Sequence, residues 1–332
     1  MIINTYLRTE HTILQVVVDA PLRRKFDYLP PEETTWRAAP GQRLRVPLGK
    51  RRAIGVIATV SNQSDMPVSR LKRALELIDA EPLWDPMTFA LLNWAADYYH
   101  HPLGEVLFAA IPVALRTGAS AERRELSWRL SERGRAARAQ PPRLGSRQRQ
   151  LIELVGDDGA TMEAISRSGL GAALRTLVAR GWLESLERPE PAPAAGPGCT
   201  GPPLTGDQSL ACDAIAAAIG SYRAWLLHGI TGSGKTEVYM KLIERVLPAG
   251  RGALVLVPEI ALTPQLVARF QERFSVPVVA LHSSMAEGAR FAAWRAAATG
   301  AAPIVIGTRS AVFTPLPALG LVVVDEEHDS SY

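Results

Sequence analysis

The 332-residue sequence holds only two cysteines, Cys199 and Cys212. They lie too far apart for a CxxC unit and have no histidine partners nearby, so the sequence predicts neither a disulfide framework nor a zinc site. No apolar run approaches the roughly 18 residues that a membrane helix needs. The first residues include Arg8 and Glu10 and no small-residue cleavage pattern, which argues against a secretory signal. A cytoplasmic location without membrane attachment is the expectation. Surplus charge is also small: 37 Lys and Arg against 33 Asp and Glu leave a formal net charge of +4, with a pI near 9.2. That tilt alone does not identify a nucleic-acid binder, because solvated arginines on helix faces give the same total. No internal repeat is present.

What remains is a globular composition, with 47% hydrophobic residues, a mean hydropathy of +0.03 and length for about two or three domains. Residues 13–18, 42–47 and 54–60 are β-rich and separated by Pro30-Pro31, Pro40-Gly41 and the basic turn Gly49-Lys50-Arg51-Arg52. A small β-barrel or curled sheet fits them. Arg43, Arg45, Lys50, Arg51 and Arg52 fall at one end, either as a rim facing phosphates or as a solvated charged hairpin. From 84 to 107 the pattern turns helical, with Leu91, Leu92, Ala95, Tyr98 and Tyr99 near one face. His100-His101 before Pro102 reads as helix termination rather than as a metal pair.

Residues 117–145, Arg-rich and alternating in charge, read as a linker or irregular strand region. Between 146 and 187 three helices are expected: one capped by Ser146, one opening at 159–161 and one over 172–180. The strand 181–186 follows, within a hairpin. This is a winged-helix reading, with Arg175 and Arg180 on the candidate recognition helix, directed either at DNA or at protein. The Pro-rich stretch 188–203 is a stiff linker and the clearest boundary in the chain.

Beyond it the pattern is one α/β domain, opened by a helix from 204 to 219. Gly229-Ile230-Thr231-Gly232-Ser233-Gly234-Lys235-Thr236 fits the phosphate-loop pattern Gly-x-x-x-x-Gly-Lys-Thr. It lies between an apolar run at 224–227, expected as a strand, and an amphipathic helix from 237. Gly232 and Gly234 let the backbone curl so that N–H groups point at phosphate oxygens, and Ser233 lies between them. The helix N-terminus adds to that field, Lys235 can reach the β and γ phosphates, and Thr236 offers a hydroxyl to Mg²⁺. Gln208, just upstream, can read an adenine edge or remain a surface residue. Further strands are expected at 253–257, 280–282 and 303–306. The last, 319–324, runs into Asp325-Glu326-Glu327-His328. Asp325 at a strand's carboxyl end can hold Mg²⁺ beside the loop, and Glu326 can deprotonate an attacking water. That pair favours nucleotide hydrolysis over a kinase.

The Asp-Glu-Glu-His box, the Gly-Ser-Gly-Lys-Thr-Glu-Val-Tyr loop, residues 257–265 (Val-Pro-Glu-Ile-Ala-Leu-Thr-Pro-Gln) and Gly307-Thr308-Arg309-Ser310 together resemble superfamily 2 helicases. More narrowly, they resemble the PriA family of replication-restart helicases. Residues 21–29, Val46-Pro47-Leu48-Gly49 and 94–104 (Trp-Ala-Ala-Asp-Tyr-Tyr-His-His-Pro-Leu-Gly) extend the resemblance to that family's N-terminal domain. It implies a multidomain α/β protein: a 3′-DNA-end-binding domain over 1–116, a winged-helix domain with linker over 117–187, a linker over 188–203 and a RecA-like helicase lobe over 204–332.

By the same resemblance Gln208, Gly229, Gly232, Ser233, Gly234, Lys235 and Thr236 serve ATP, Thr236 and Asp325 serve Mg²⁺, and Lys235 and Glu326 are catalytic. Phe26, Asp27, Gly49 and Lys72 line a pocket for a DNA 3′ end, and Arg309 contacts the DNA backbone. The implied activity is ATP-dependent 3′→5′ unwinding at stalled forks, leading to primosome assembly. The implied partners are forked DNA with a leading-strand 3′ end, single-stranded DNA, primosome proteins and single-stranded DNA-binding protein. The family's second lobe, its cysteine-rich zinc-binding insertion and its C-terminal domain have no counterpart between Met1 and Tyr332, and residues 1–12 are an extension. The expectation is weak ATP binding and no unwinding by this polypeptide alone. The alternative is a non-enzymatic fork-binding module with an idle nucleotide lobe.

Overall fold

Two long antiparallel strands, β1 (Leu7–Val18) and β4 (Arg51–Ser64), form the spine of the N-terminal region. The computed structural model describes residues 7–32, 37–121, 124–139, 144–189, 193–230 and 232–330. Residues 1–6 of the N-terminal extension, parts of both linkers (122–123, 140–143, 190–192) and Thr231 of the phosphate loop lie outside the described residues. Between the spine strands in sequence come β2 (Phe26–Leu29) and β3 (Arg43–Leu48), and β5 (Lys72–Arg73) and β6 (Glu76–Leu77) follow. The sheet order is β5-β2-β1-β4-β3-β6. Its two ends, β5 and β6, belong to one short segment. Ala74 donates to the Leu29 carbonyl at 2.9 Å and Leu75 to the Arg45 carbonyl at 2.8 Å, so the sheet curls back on itself.

Side chains alternate across this curled sheet with period two. Leu14, Val16, Val18, Tyr28, Leu44, Val46 and Ile57 fill the interior. Val17, Val56 and Ala58 face outward onto α1 (Pro86–Tyr98), α2 (Leu103–Ala109) and α3 (Val113–Arg116). Helix α1 starts sharply because Asp85 accepts from the Met87 and Thr88 amides at 2.9 and 3.0 Å and Pro86 opens the first turn.

Two expectations fail here. The buried face of α1 is Leu92, Ala95 and Ala96, whereas Leu91, Tyr98 and Tyr99 are exposed, because the helix is apolar on both sides. Arg43 is no rim residue: it is fully buried. Its guanidinium meets Asp79 through Nε–Oδ2 (2.8 Å) and Nη2–Oδ1 (2.6 Å), and it also donates to the carbonyls of Leu115 and Ala119. Arg45 pairs with Glu76 at 2.7 Å.

A second unit spans Glu122–Pro191. Where a linker or irregular strand region was expected it has the regular strand β7 (Arg124–Leu130) and helix α4 (Glu132–Ala139). Then come α5 (Ser146–Val155), β8 (Ala160–Thr161), α6 (Met162–Arg167), α7 (Gly171–Ala179) and β9 (Leu183–Pro189). Ser146 is the first helical residue and Gly145 the cap, shifting the expected cap by one. The antiparallel order is β8-β7-β9, so β9 does not form a local hairpin. It pairs along its length with β7, from Arg124↔Pro189 to Leu130↔Leu183. Leu151, Ile152, Val155, Ile165, Leu174 and Leu177 pack beneath this sheet with Leu130 and Leu183.

The remainder, which shares its unit with the N-terminal sheet, begins with α8 (Gly206–Ala216) and α9 (Lys235–Val246). It continues through β10 (Gly252–Leu256), α10 (Pro264–Arg273), β11 (Val278–Leu281), α11 (Glu287–Ala298), β12 (Ile304–Gly307) and β13 (Leu319–Val324). The four strands are parallel in the order β11-β12-β10-β13, and β10 is buried on both faces, as a strand covered by helices must be. Helices α9 and α10 cover one face through Tyr239, Met240, Ile243, Phe270 and Phe274. On the other face Phe291, Trp294 and Ala297 of α11 join Leu107 and Phe108 of α2, Ile111 after it and Leu115 of α3 in one continuous core.

Residues 224–227 do not form the expected strand. They run irregularly, with Leu226 76% exposed and Leu227 packed beside Cys212, Val238 and Leu242. An apolar run becomes a strand only by hydrogen-bonding to a neighbour, and among the described residues β13 pairs on one side only, with β10. The Pro-rich stretch is not free along its whole length either: the Cys199 amide donates to the Glu272 carbonyl at 2.9 Å, at the end of α10.

Candidate nucleotide and DNA sites

The glycine loop ends where α9 begins. Gly232 (φ 80°) and Gly234 (φ 79°) both adopt left-handed backbone, which a side chain strongly disfavours, and Gly234 caps the helix. Lys235 is folded onto its own loop, donating from Nζ to the carbonyls of Gly229 (2.8 Å) and Ile230 (3.4 Å). Gln208 reaches the same loop. Its Oε1 accepts from the Thr205 amide at 2.9 Å, completing a capping box on α8, and its Nε2 donates to the Ser233 carbonyl at 2.8 Å.

Strand β13 delivers Asp325 to this place from the other side of the sequence. The Asp325 amide donates to the Leu256 carbonyl at 2.9 Å, extending the sheet by one residue. Its Oδ1 accepts from the Glu326 amide at 3.1 Å, and its Oδ2 accepts from the Tyr239 hydroxyl at 3.1 Å. Thr236 lies one helical turn before Tyr239 on α9, on the same face. Burial pushes the Tyr239 phenol well up from its ordinary value, and the neighbouring Asp325 carboxylate adds to the shift, so the phenol stays protonated. Glu326, exposed, sits at φ 49°, a left-handed conformation that non-glycine residues rarely take and that is enriched at functional sites. Oxygen donors from Thr236, on the helix face that carries Tyr239, and from Asp325, held by that phenol, are hard ligands of the kind Mg²⁺ takes.

Behind the loop, Glu237 is buried and pairs with Arg269 (2.5 Å) and Arg273 (3.6 Å) of α10, and Arg273 also meets Glu244 at 2.6 Å. The sequence reading named neither Tyr239 nor this network. Their signal was the position of Tyr239 one helical turn after Thr236. Arg309 lies exposed at the start of a short 3₁₀ turn (Arg309–Phe313) just after β12.

In the N-terminal sheet, Phe26 and Asp27 are consecutive on β2, and strand pairing sets Lys72 opposite Tyr28, the next residue. The Tyr28 hydroxyl donates to the Pro47 carbonyl at 3.0 Å, tying β2 to the end of β3. Two residues on, Gly49 forms the β3–β4 turn with φ 61°. Asp27 accepts from the Ser64 hydroxyl at 2.6 Å, and the Arg24 guanidinium lies 4.7 Å over the Phe26 ring. Phe26 packs against the interior cluster, while Lys72 is exposed.

A glycine loop at the head of a helix on a parallel sheet, with an acidic pair at a neighbouring strand end, is the arrangement of a nucleotide-hydrolysing lobe. Comparison with known proteins gives its class as a helicase. Residues 205–332 match the DEAD/DEAH box helicase family, and residues 15–112 match the 3′DNA-binding domain (3′BD) of PriA. Over 96% of its length the chain matches proteins of the PriA family. It is 37% identical over 334 residues to the replication restart protein PriA of Haemophilus influenzae, a match covering 96% of this chain and 45% of that protein. To the replication restart protein PriA of Treponema pallidum it is 32% identical over 323 residues, covering 96% and 39%. To that of Bacillus subtilis it is 27% identical over 396 residues, covering 96% and 49%. The chain thus spans less than half the length of these relatives. No helix among the described residues is long and apolar enough to cross a membrane.

Proposed function

We propose that this chain reads the 3′ end of DNA at a stalled replication fork and binds Mg²⁺–ATP, as part of an ATP-dependent 3′→5′ helicase that restarts replication through primosome assembly. The observation that carries the nucleotide half is the meeting of Asp325 and the loop helix through Tyr239, with Glu326 beside it. Thr236 and Asp325 hold Mg²⁺, which neutralises phosphate charge when bound. Lys235 exchanges its two carbonyl partners for phosphate oxygens, and the Gly232–Gly234 backbone presents its N–H groups to the same anion. Glu326 orients and deprotonates the attacking water. Gln208 is the adenine reader, releasing the loop as it takes up the base.

On the DNA side Asp27 bonds the terminal 3′ hydroxyl, Phe26 stacks on the last base, and Lys72 and the Gly49 turn meet the backbone. Arg309 contacts the strand emerging across the lobe. The Glu122–Pro191 unit is a winged helix, with exposed Arg175 on its last helix and exposed Arg180 at that helix's C-terminal cap, facing DNA or a protein partner. Single-stranded DNA-binding protein and primosome proteins are the partners, and the cytoplasm is the compartment.

A second reading is a non-enzymatic fork- and 3′-end-binding module with an idle nucleotide lobe, and residues 224–227 standing outside the sheet support it.

The deciding experiment compares binding to a fork ending in a free leading-strand 3′ hydroxyl with the same fork ending in a 3′ phosphate, with and without ATP. Preference for the hydroxyl, unchanged by ATP, is expected. Equal affinity for both ends would remove the 3′-end reading.

A further inference from the structure

We infer that Tyr239 is a positioning residue of the Mg²⁺–nucleotide site, fixing the Asp325 carboxylate against the Thr236 hydroxyl. The inference rests on the nucleotide reading above and assigns a role to a side chain that the phosphate-loop pattern does not include.

The argument begins with the helix. Thr236 and Tyr239 lie three residues apart on α9 and so share a face, one above the other. Tyr239 is 4% exposed, and its ring stacks on Phe270 of α10 with centroids 6.2 Å apart and planes 27° from parallel. Phe270 is itself wholly buried and leans on Phe274. The ring therefore has little freedom, and the only polar atom it carries projects past the core to the end of β13. There it donates to Asp325 Oδ2 at 3.1 Å while the other carboxylate oxygen, Oδ1, takes the Glu326 amide. Both oxygens of Asp325 thus have a fixed donor, and the carboxylate cannot swing away from the loop. An acid at a strand end on an irregular turn needs such a restraint, since Glu326, the next residue, already leaves extended backbone. Groups that orient a metal ligand from behind typically set metal affinity by tenfold or more.

The chemistry makes one substitution diagnostic. Tyr239→Phe keeps the ring and its packing on Phe270 and removes only the hydroxyl. Binding of a fluorescent ADP analogue is measured on the parent and the variant in excess Mg²⁺ and again in EDTA, with circular dichroism and thermal unfolding as controls for the fold. The expected result is a loss of about tenfold in affinity in Mg²⁺, with affinity in EDTA unchanged and the melting profile close to the parent's. Equal affinities for parent and variant in Mg²⁺ would overturn the role of Tyr239 and leave the nucleotide site standing. An equal loss with and without Mg²⁺ would also overturn it, reducing Tyr239 to a packing residue. A parent chain whose nucleotide binding gains nothing from Mg²⁺ would instead refute the nucleotide reading, and this assignment with it.

Discussion

Replacing Asp79 by Asn tests whether Arg43 belongs to the core or to a DNA-facing rim. In the parent the Arg43 side chain is 0% exposed and that of Asp79 3%. One carboxylate satisfies the Arg43 amide at 3.0 Å, its Nε at 2.8 Å and its Nη2 at 2.6 Å. The remaining guanidinium bonds go to the Leu115 and Ala119 carbonyls, so this one side chain holds strand β3 to α3 and to the segment that follows it. Asp79→Asn turns one acceptor into a donor aimed at N–H groups and leaves a buried cation without its counter-charge. Breaking a buried pair from one side costs about 3–5 kcal/mol. For a folding unit of some 250 residues that lowers the melting temperature by on the order of 10 °C. The assay is urea and thermal unfolding followed by circular dichroism. The double variant Arg43→Met with Asp79→Leu serves as the control, because an apolar pair of similar volume removes both charges together and is expected to recover most of the loss. DNA binding by that double variant should match the parent at every salt concentration. An Asp79→Asn variant within about 1 kcal/mol of the parent would refute the reasoning. So would a double variant whose salt dependence of DNA binding flattens by one phosphate contact.

Two further outcomes follow from local features. Asp85→Ala should remove about 1 kcal/mol of stability at neutral pH, the usual worth of a helix N-cap. Burial works to raise the Asp85 carboxyl, but the Thr88 hydroxyl and amide and the Met87 amide outweigh it and hold the group below its ordinary value. Its contribution is therefore present above about pH 4 and lost as pH falls through the lowered folded-state value, so the two proteins' urea midpoints should converge in strong acid. Lys235→Ala should weaken ATP binding by about ten- to a hundredfold, the worth of a charge-assisted bond to phosphate, while leaving fork 3′-end binding unchanged. Isothermal titration with each ligand checks this, and a parallel loss of both would show that the two sites are not separate.

What the sequence made legible was local. The glycine loop and the acidic strand end are fixed spacings on contiguous residues, and a parallel α/β lobe with a curled N-terminal sheet follows from short apolar runs between turn signals. What it hid depends on distant partners. Arg43 sits on the face of β3 opposite Leu44 and Val46, which alternation alone assigns to solvent. That face is covered because the chain returns 70-odd residues later with Leu115 and Ala119. Among its arginines the sequence suggested at most an irregular strand at β7, because its partner β9 lies more than fifty residues on. In α1, Leu91 is as apolar as Leu92 and Tyr98 carries a large apolar ring, so hydrophobicity could not choose the buried side. The run at 224–227 has a strand's composition, but strand formation is decided by an available edge. Tyr239 reads as an ordinary core aromatic until β13 brings a carboxylate to its hydroxyl.

The pairing of β7 with β9 also bears on how the chain finds its fold. The unit spanning Glu122–Pro191 interrupts a larger one whose two halves share a single core. Its first and last strands begin and end side by side, Arg124 opposite Pro189. Once that ladder forms, about 70 residues of intervening chain shrink to a few effective links. The entropy of closing the remaining loop drops by about 2 kcal/mol on logarithmic scaling. An insert that folded first would act as a clasp, shortening the tether between the chain segments on either side of it. A lesion in β7 or β9 would accordingly register in the folding rate of the distant halves, well away from any contact it breaks.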